Sequence, residues 1–292
     1  MSTLVVLERA AKAAPAPLEF TGERYTPECP REMLYEHFAR YAMALEFVAG
    51  KRVLDCACGE GYGSNLLAEH ALSVLGLDYS NKAVAHARAR YQKSNLRFEV
   101  ADATALSLEN CVDVVVSFET LEHLDAQDAM LAGFKRALTN DGLLLLSSPD
   151  KLNYSDIPRY HNEFHVKELY RSELEALLAR HFKHVCLYAQ KLKFQSFIWD
   201  VSANSTRANG VYSASLQSDG RLTSGLQDAP MYYIALASDS AEVVEARSAA
   251  LFLFADQAQS LYKHYQAEIR NGIYAAKIIA ELRAEIARLS AG

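Results

Sequence analysis

Residues 53–64 read VLDCACGEGYGS. An apolar run enters a glycine-rich turn, and the turn opens a helical pattern. Glycines at 59, 61 and 63 let backbone come close to a ligand at the carboxyl end of a strand, where open α/β sheets bind. A dinucleotide fold uses G-x-G-x-x-G with a pyrophosphate on the helix N-terminus. Here the spacing is G-x-G-x-G, and position 64 is Ser. Asp55 ends the strand; a carboxylate there is awkward for a pyrophosphate and suits a ligand carrying an ammonium and a sulfonium. The turn contains no Lys, so it is not a P-loop.

Strands and helices alternate around this turn. Residues 31–49 carry Leu34, Phe38, Tyr41, Leu45 and Val48 at helical spacing. Strands are expected at 52–57, 73–78, 96–100, 112–118 and 143–147, with helices at 63–70, after Ser80, and at 126–138. Ser80 can cap its helix. The VVV run at 114–116 suits a strand buried on both faces. A further helix is expected from Ser172, with Ser172 and Glu175 as a capping box. Residues 185–189 and 231–237 then form two last strands, a long hairpin around a polar connection at 191–229 that is long enough to be a lid or binding loop. This rhythm argues for a parallel sheet covered on both faces.

Two more acidic residues follow strand ends. Asp78 lies about twenty residues after the turn, where a carboxylate holds ribose hydroxyls. Asp102, in VADATAL, is placed to accept a hydrogen bond from an adenine amino group. With these residues the chain resembles the class I S-adenosylmethionine-dependent methyltransferases. The stretches that carry the likeness are VLDCACGEGYG (53–63), GLDYS (76–80), ADATAL (101–106), VVSFETLEHL (115–124) and LTNDGLLLLSSPD (138–150). One departure stands out: the usual first glycine of D-x-G-x-G-x-G is Ala57.

The resemblance implies a Rossmann-like α/β fold with a mostly parallel seven-stranded sheet and helices on both faces. It implies S-adenosyl-L-methionine as cofactor and S-adenosyl-L-homocysteine as product. Asp55, Ala57, Gly59 and Gly61 would surround the methionine part. Asp78 would hold the ribose, with Tyr79 beside the adenine; Asp102 and Ala103 would read the adenine. Phe118 and Glu119 would line the end of the fourth strand. The stretches FTGERYTPE (20–28) and YEHFARYAMA (35–44) look like a subgroup of bacterial members associated with surface-polysaccharide biosynthesis. Tyr25 and Arg40 could close over the cofactor, the Arg on its carboxylate.

On the acceptor side three histidines are candidates for a base near neutral pKa: His123, His161 and His165. His123 either acts directly or shapes the pocket. His161 and His165 have i, i+4 spacing, but HNEFH is not H-E-x-x-H, and no metal is expected. They contact substrate or make structural hydrogen bonds. Phe194, Phe197 and Trp199 either stack on a sugar face or act as hydrophobic staples. The likeness to the surface-polysaccharide subgroup implies a hydroxyl of a sugar or glycan as the leading acceptor. The alternatives are a phenolic or isoprenoid metabolite, and a non-catalytic scaffold.

The expected organisation is a loose Ala/Pro-rich segment at 1–19, a methyltransferase domain at 20–238 and a helical extension at 239–292. From Leu251 a heptad register runs to Leu289, broken in the middle by Glu268 and Gly272. It predicts a kinked or split helix that joins a second copy or a partner helix. The net charge of −6 disfavours a nucleic-acid partner. Five cysteines with no C-x-x-C, no leader-like start and no apolar run of membrane-spanning length suggest a cytoplasmic protein with reduced thiols.

Overall fold

The computed structural model describes residue 26 and residues 32–196, 213–216, 220–226, 228–246 and 250–290. The first helix, α1 (Glu32–Val48), leads into β1 (Arg52–Cys56), α2 (Tyr62–Leu67), β2 (Ser73–Asp78) and α3 (Asn81–Arg90). Next come β3 (Leu96–Val100), β4 (Val112–Phe118), α4 (Gln127–Ala137), β5 (Leu138–Pro149) and α5 (Arg171–Ala179). Then follow β6 (His184–Gln190), the short β7 (Ala214–Leu216) and β8 (Leu222–Ser224), β9 (Tyr232–Ser238), α6 (Ala241–Glu245) and α7 (Ser260–Ser290).

Seven strands form one sheet in the order β3-β2-β1-β4-β5-β9-β6. β9 alone runs antiparallel, to β5 on one side and β6 on the other. The order reverses between β1 and β4, which opens a crevice at the carboxyl ends of those strands. This is the expected mostly parallel sheet, and β6 with β9 is the expected hairpin.

Alternate residues feed the two faces. Val53, Val114, Val116, Leu143 and Leu145 pack with Tyr41, Ala44 and Val48 of α1 and Leu67 of α2. Leu54, Val115, Leu144 and Leu146 pack with Met130, Leu131 and Phe134 of α4 and Leu174 and Leu178 of α5. The Asn140-Asp141-Gly142 turn bulges out of β5, where the register slips from Val112–Leu138 to Val114–Leu143.

Two local expectations need correction. α5 starts at Arg171, and Glu173, not Glu175, reaches back to accept from the Tyr170 N–H at 2.9 Å. Glu175 pairs instead with Arg171. Within the connection at 191–229, β7 and β8 pair. α7 runs unbroken through Gly272, and residues 251–259 precede it without helix. A glycine costs a helix about 1 kcal/mol against alanine, and in this exposed helix that cost does not break it.

Candidate active site

The glycine turn is laid across the end of β2. Cys58 N–H donates to Leu77 O at 2.8 Å, and Gly61 N–H donates to Cys58 O at 3.1 Å. Asp78 clamps it: Oδ2 accepts from Gly59 N–H and Oδ1 from Ser80 N–H, both at 2.8 Å. Ser80 caps α3 by accepting from Ala83 N–H at 3.3 Å. Ala57, where the family has glycine, sits at φ 61°, the left-handed region. That conformation costs an L-residue roughly 1–2 kcal/mol.

Asp55 lies beneath the turn and has no solvent exposure. Its carboxyl group accepts from Ser64 Oγ–H at 2.6 Å and Tyr41 O–H at 3.2 Å. Burial pushes its pKa up to about 7, against those two donors. Asp55 therefore ties the turn from behind to Tyr41 of α1 and Ser64 of α2. Gly61 also packs inward: a Cβ there would stand 2.8 Å from Ala87 and the Phe98 ring.

The ends of β2 and β3 form an open pocket lined by Tyr79, Ser80, Asn81, Val100, Ala101 and Asp102. The Tyr79 ring is 81% exposed at its mouth, a free face for a flat heterocycle. Asp102 accepts from Thr104 N–H at 2.8 Å and Thr104 Oγ1–H at 2.7 Å, both on Oδ1. These bonds hold its carboxyl below the ordinary range, and Oδ2 keeps its lone pairs for a ligand. Ala103 does not line this pocket; it packs with the α4 face of the core.

Arg40 of α1 is buried to 1% exposure. Its Nε–H donates to Gln190 Oε1 at 2.7 Å, its guanidinium lies 4.4 Å over the Tyr232 ring, and Nη2 is 3.5 Å from Glu119 Oε1. Yet neither Nη1 nor Nη2 makes a hydrogen bond. Buried donors of this kind are costly unless an acceptor arrives. Glu36, beside Arg40, accepts from Tyr232 O–H at 3.1 Å, and burial raises its pKa despite the cation. Glu119 turns the chain at the end of β4 with φ 52°. Its carboxylate accepts from Ser147 Oγ–H at 2.7 Å, while its N–H donates to the same oxygen at 3.0 Å. Phe118 packs edge-on to Tyr41 and is nearly buried. Tyr25 lies outside the described residues, as do Phe197 and Trp199. Phe194 packs edge-on against Tyr265 of α7.

Two of the three histidines meet. A short turn at Leu121–His123 follows β4, and Glu122 O accepts from the N–H groups of Val166 and Lys167 at 2.8 and 2.9 Å. Gln127 Nε2 bridges Leu121 O and Lys167 O, each at 2.9 Å. This clasp sets the His123 and His165 rings perpendicular, with centroids 5.0 Å apart. His161 is not in that pair. It is exposed and lines a polar pocket with Lys151, Tyr160, His165, Lys167 and Glu168. Burial lowers the pKa of His165, against the carboxylate of Glu168 beside it. The sequence reading missed Glu122, whose buried carboxyl group stands at this pair. Burial, then the nearby charge of Glu119, pushes its pKa well up. Its signal was present as the second acid of ETLEH.

A sequence profile of the methyltransferase domain matches residues 47–212. The chain belongs to this methyltransferase family. A probable S-adenosylmethionine-dependent methyltransferase of Mycolicibacterium smegmatis is 39% identical over 172 residues, 57% of this chain and 65% of that protein. One from Mycobacterium tuberculosis is 38% identical over 179 residues, 58% of this chain and 62% of that protein. The match thus spans somewhat under two thirds of either relative's length. The PH0226 protein of Pyrococcus horikoshii shares the fold, with a TM-score of 0.51 at 17% identity over 73% of this chain and 94% of that one. S-adenosylmethionine is the cofactor this family implies, and the methyltransferase residues fit it. The orphaned Nη donors of Arg40 match its carboxylate. The exposed Tyr79 ring and Asp102 Oδ2 match its adenine. Among the described residues, no helix is long and apolar enough to cross a membrane.

Proposed function

We propose that this chain moves a methyl group from S-adenosylmethionine to a hydroxyl oxygen of a polar acceptor, with a sugar or glycan the first choice. The observation that supports this acceptor is the pocket beside His165. Lys151, Asp156, Arg159, His161, Lys167 and Glu168 line it. Charged and hydrogen-bonding walls suit a polyhydroxylated molecule and disfavour a phenolic or isoprenoid one.

When bound, the cofactor supplies a methyl group on a positively charged sulfur. Arg40 would hold its carboxylate by a charge-assisted pair of bonds. Tyr79 would lie beside the adenine, Asp102 would accept from its amino group, and Asp78 would hold the ribose. The fixed turn and the clasp align donor and acceptor, and such alignment supplies much of the rate in a displacement. His161, exposed in the acceptor pocket, takes the hydroxyl proton. The four described cysteines are unpaired, which fits a cytoplasmic setting. α7 leaves Ile279, Leu282, Ile286 and Leu289 exposed along one helix, a seam on which a second copy packs.

The test is incubation with S-adenosylmethionine and a panel of sugars, nucleotide sugars and phenols, reading S-adenosylhomocysteine by mass spectrometry. Turnover with a sugar supports the reading. Turnover only with phenols overturns the acceptor assignment. Cofactor binding with no turnover on any acceptor favours the scaffold.

A further inference from the structure

Glu122, His123 and His165 each offer a donor atom, and the three atoms lie within 4.8 Å of one another. We infer that these residues bind a divalent transition-metal ion at the edge of the acceptor pocket. The role given to the ion rests on the methyl-transfer reading; its binding does not.

The carboxyl group of Glu122 is 1% exposed, and neither oxygen makes a hydrogen bond. Such a group needs either a proton or a cation. The nearest cation candidate is His123 Nε2, 4.0 Å from Oε1, beyond hydrogen-bond reach. Each imidazole is already oriented as a ligand. His123 Nδ1 is 2.8 Å from Phe164 O, which can only accept, so in the neutral ring the lone pair is on Nε2. His165 Nδ1 is 2.6 Å from Glu168 Oε1, which likewise leaves Nε2 as the lone-pair nitrogen. Asn162 Nδ2 now stands 3.0 Å from that nitrogen, and an ion would displace it. Histidines that ligate metals are held in this way, with the second ring N–H on a carbonyl or carboxylate.

Donors on a common ion at about 2.0–2.2 Å stand roughly 3–4 Å apart, so the set closes by about an ångström. Two imidazoles and one carboxylate select a zinc-like or iron-like ion over magnesium or calcium. Three protein ligands leave open positions, and His165 also lines the acceptor pocket. An acceptor hydroxyl in an open position loses its proton readily. The O–H bond breaks, its electron pair stays on oxygen, and His161 takes the proton. No electron is transferred, so the ion keeps its oxidation state.

The test uses the untagged full-length chain, stripped with a chelator and titrated with Co²⁺. Visible d–d absorption and metal content after gel filtration are the readouts, and cofactor binding is measured separately by calorimetry. One Co²⁺ per chain is expected, displaced by Zn²⁺. Glu122→Gln, His123→Gln and His165→Gln each weaken it at least about tenfold, with S-adenosylmethionine binding unchanged. A wild-type chain that retains no stoichiometric Co²⁺ overturns the site, as does equal retention by all three variants. If Co²⁺ binds and S-adenosylmethionine does not, the site stands and the methyl-transfer reading falls. If S-adenosylmethionine binds and Co²⁺ does not, the reverse holds.

Discussion

Gly63 tests whether the glycine turn is held by packing from behind. A Cβ at position 63 would stand 2.0 Å from Tyr41 Cζ and 2.3 Å from Cε1. Ordinary contact needs about 3.5–4.0 Å, so the ring has to move by about 1.5–2 Å. It has nowhere to go. Tyr41 is 5% exposed, edge-on to Tyr62 and Phe118 at 5.2 Å each, with its hydroxyl on Asp55. Overpacking costs about 1–3 kcal/mol, and the lost hydrogen bond to a buried carboxyl group adds about 1.5–3 kcal/mol. Alanine regains about 1 kcal/mol of helix propensity in α2. Gly63→Ala should therefore destabilise the chain by about 1.5–5 kcal/mol, read as a fall in the urea midpoint at constant slope. In a Tyr41→Ala background the obstacle is gone, and the same substitution should be neutral or mildly stabilising. A cost below about 1 kcal/mol, or an equal cost in both backgrounds, would refute the packing argument.

Four further outcomes follow from the same geometry. Ala57→Gly relieves about 1–2 kcal/mol of left-handed strain and adds about 0.4–1 kcal/mol of unfolded-state entropy; urea unfolding should show a small net gain. Asp55 carries a folded pKa of about 7, above its unfolded value, so its contribution is full in acid and is lost as pH rises through about 7. Stability should fall across that window by up to roughly 1.4 kcal/mol per pH unit, and Asp55→Asn should flatten the urea midpoint between those limits. Arg40→Lys removes the planar fork and should raise the S-adenosylmethionine dissociation constant at least about tenfold by calorimetry. On the proposed α7 seam, light scattering should read two chains for the parent and one for Ile279→Glu with Leu282→Glu.

The parts of the fold written in local sequence were legible. The glycine turn, the Ser80 cap and the alternation of strands and helices each depend on neighbours a few residues away. What failed depended on distant partners or on direction. Asp55 shows a carboxylate at a strand end, but only the approach of Tyr41 and Ser64 decides that it faces inward. The S-x-x-E pattern at Ser172 is as good a cap on paper as the one used. The extended Tyr170 backbone places the first turn two residues earlier. Glu122 was overlooked because nothing near it in sequence explains it. Its significance comes from His165, brought over by hydrogen bonds between the 121–127 and 164–168 segments.

That clasp brings His165 to Glu122 in a crevice rich in acids. Around the crevice beyond β4 stand Glu36, Glu119 and Glu122, and Arg40 is the cation among them. With all three acids ionised, one guanidinium would leave a surplus of negative charge around the buried Glu122, where an unpaired charge is costly. The surplus can be met in two ways. Protonation is one, and burial pushes the pKa of both Glu36 and Glu122 in that direction. A positively charged ligand is the other, and the proposed sulfonium cofactor and divalent ion would each carry the missing charge. The two Arg40 nitrogens that make no hydrogen bond complete the pattern, because on the proposed reading the cofactor's carboxylate would supply the anionic partner they lack.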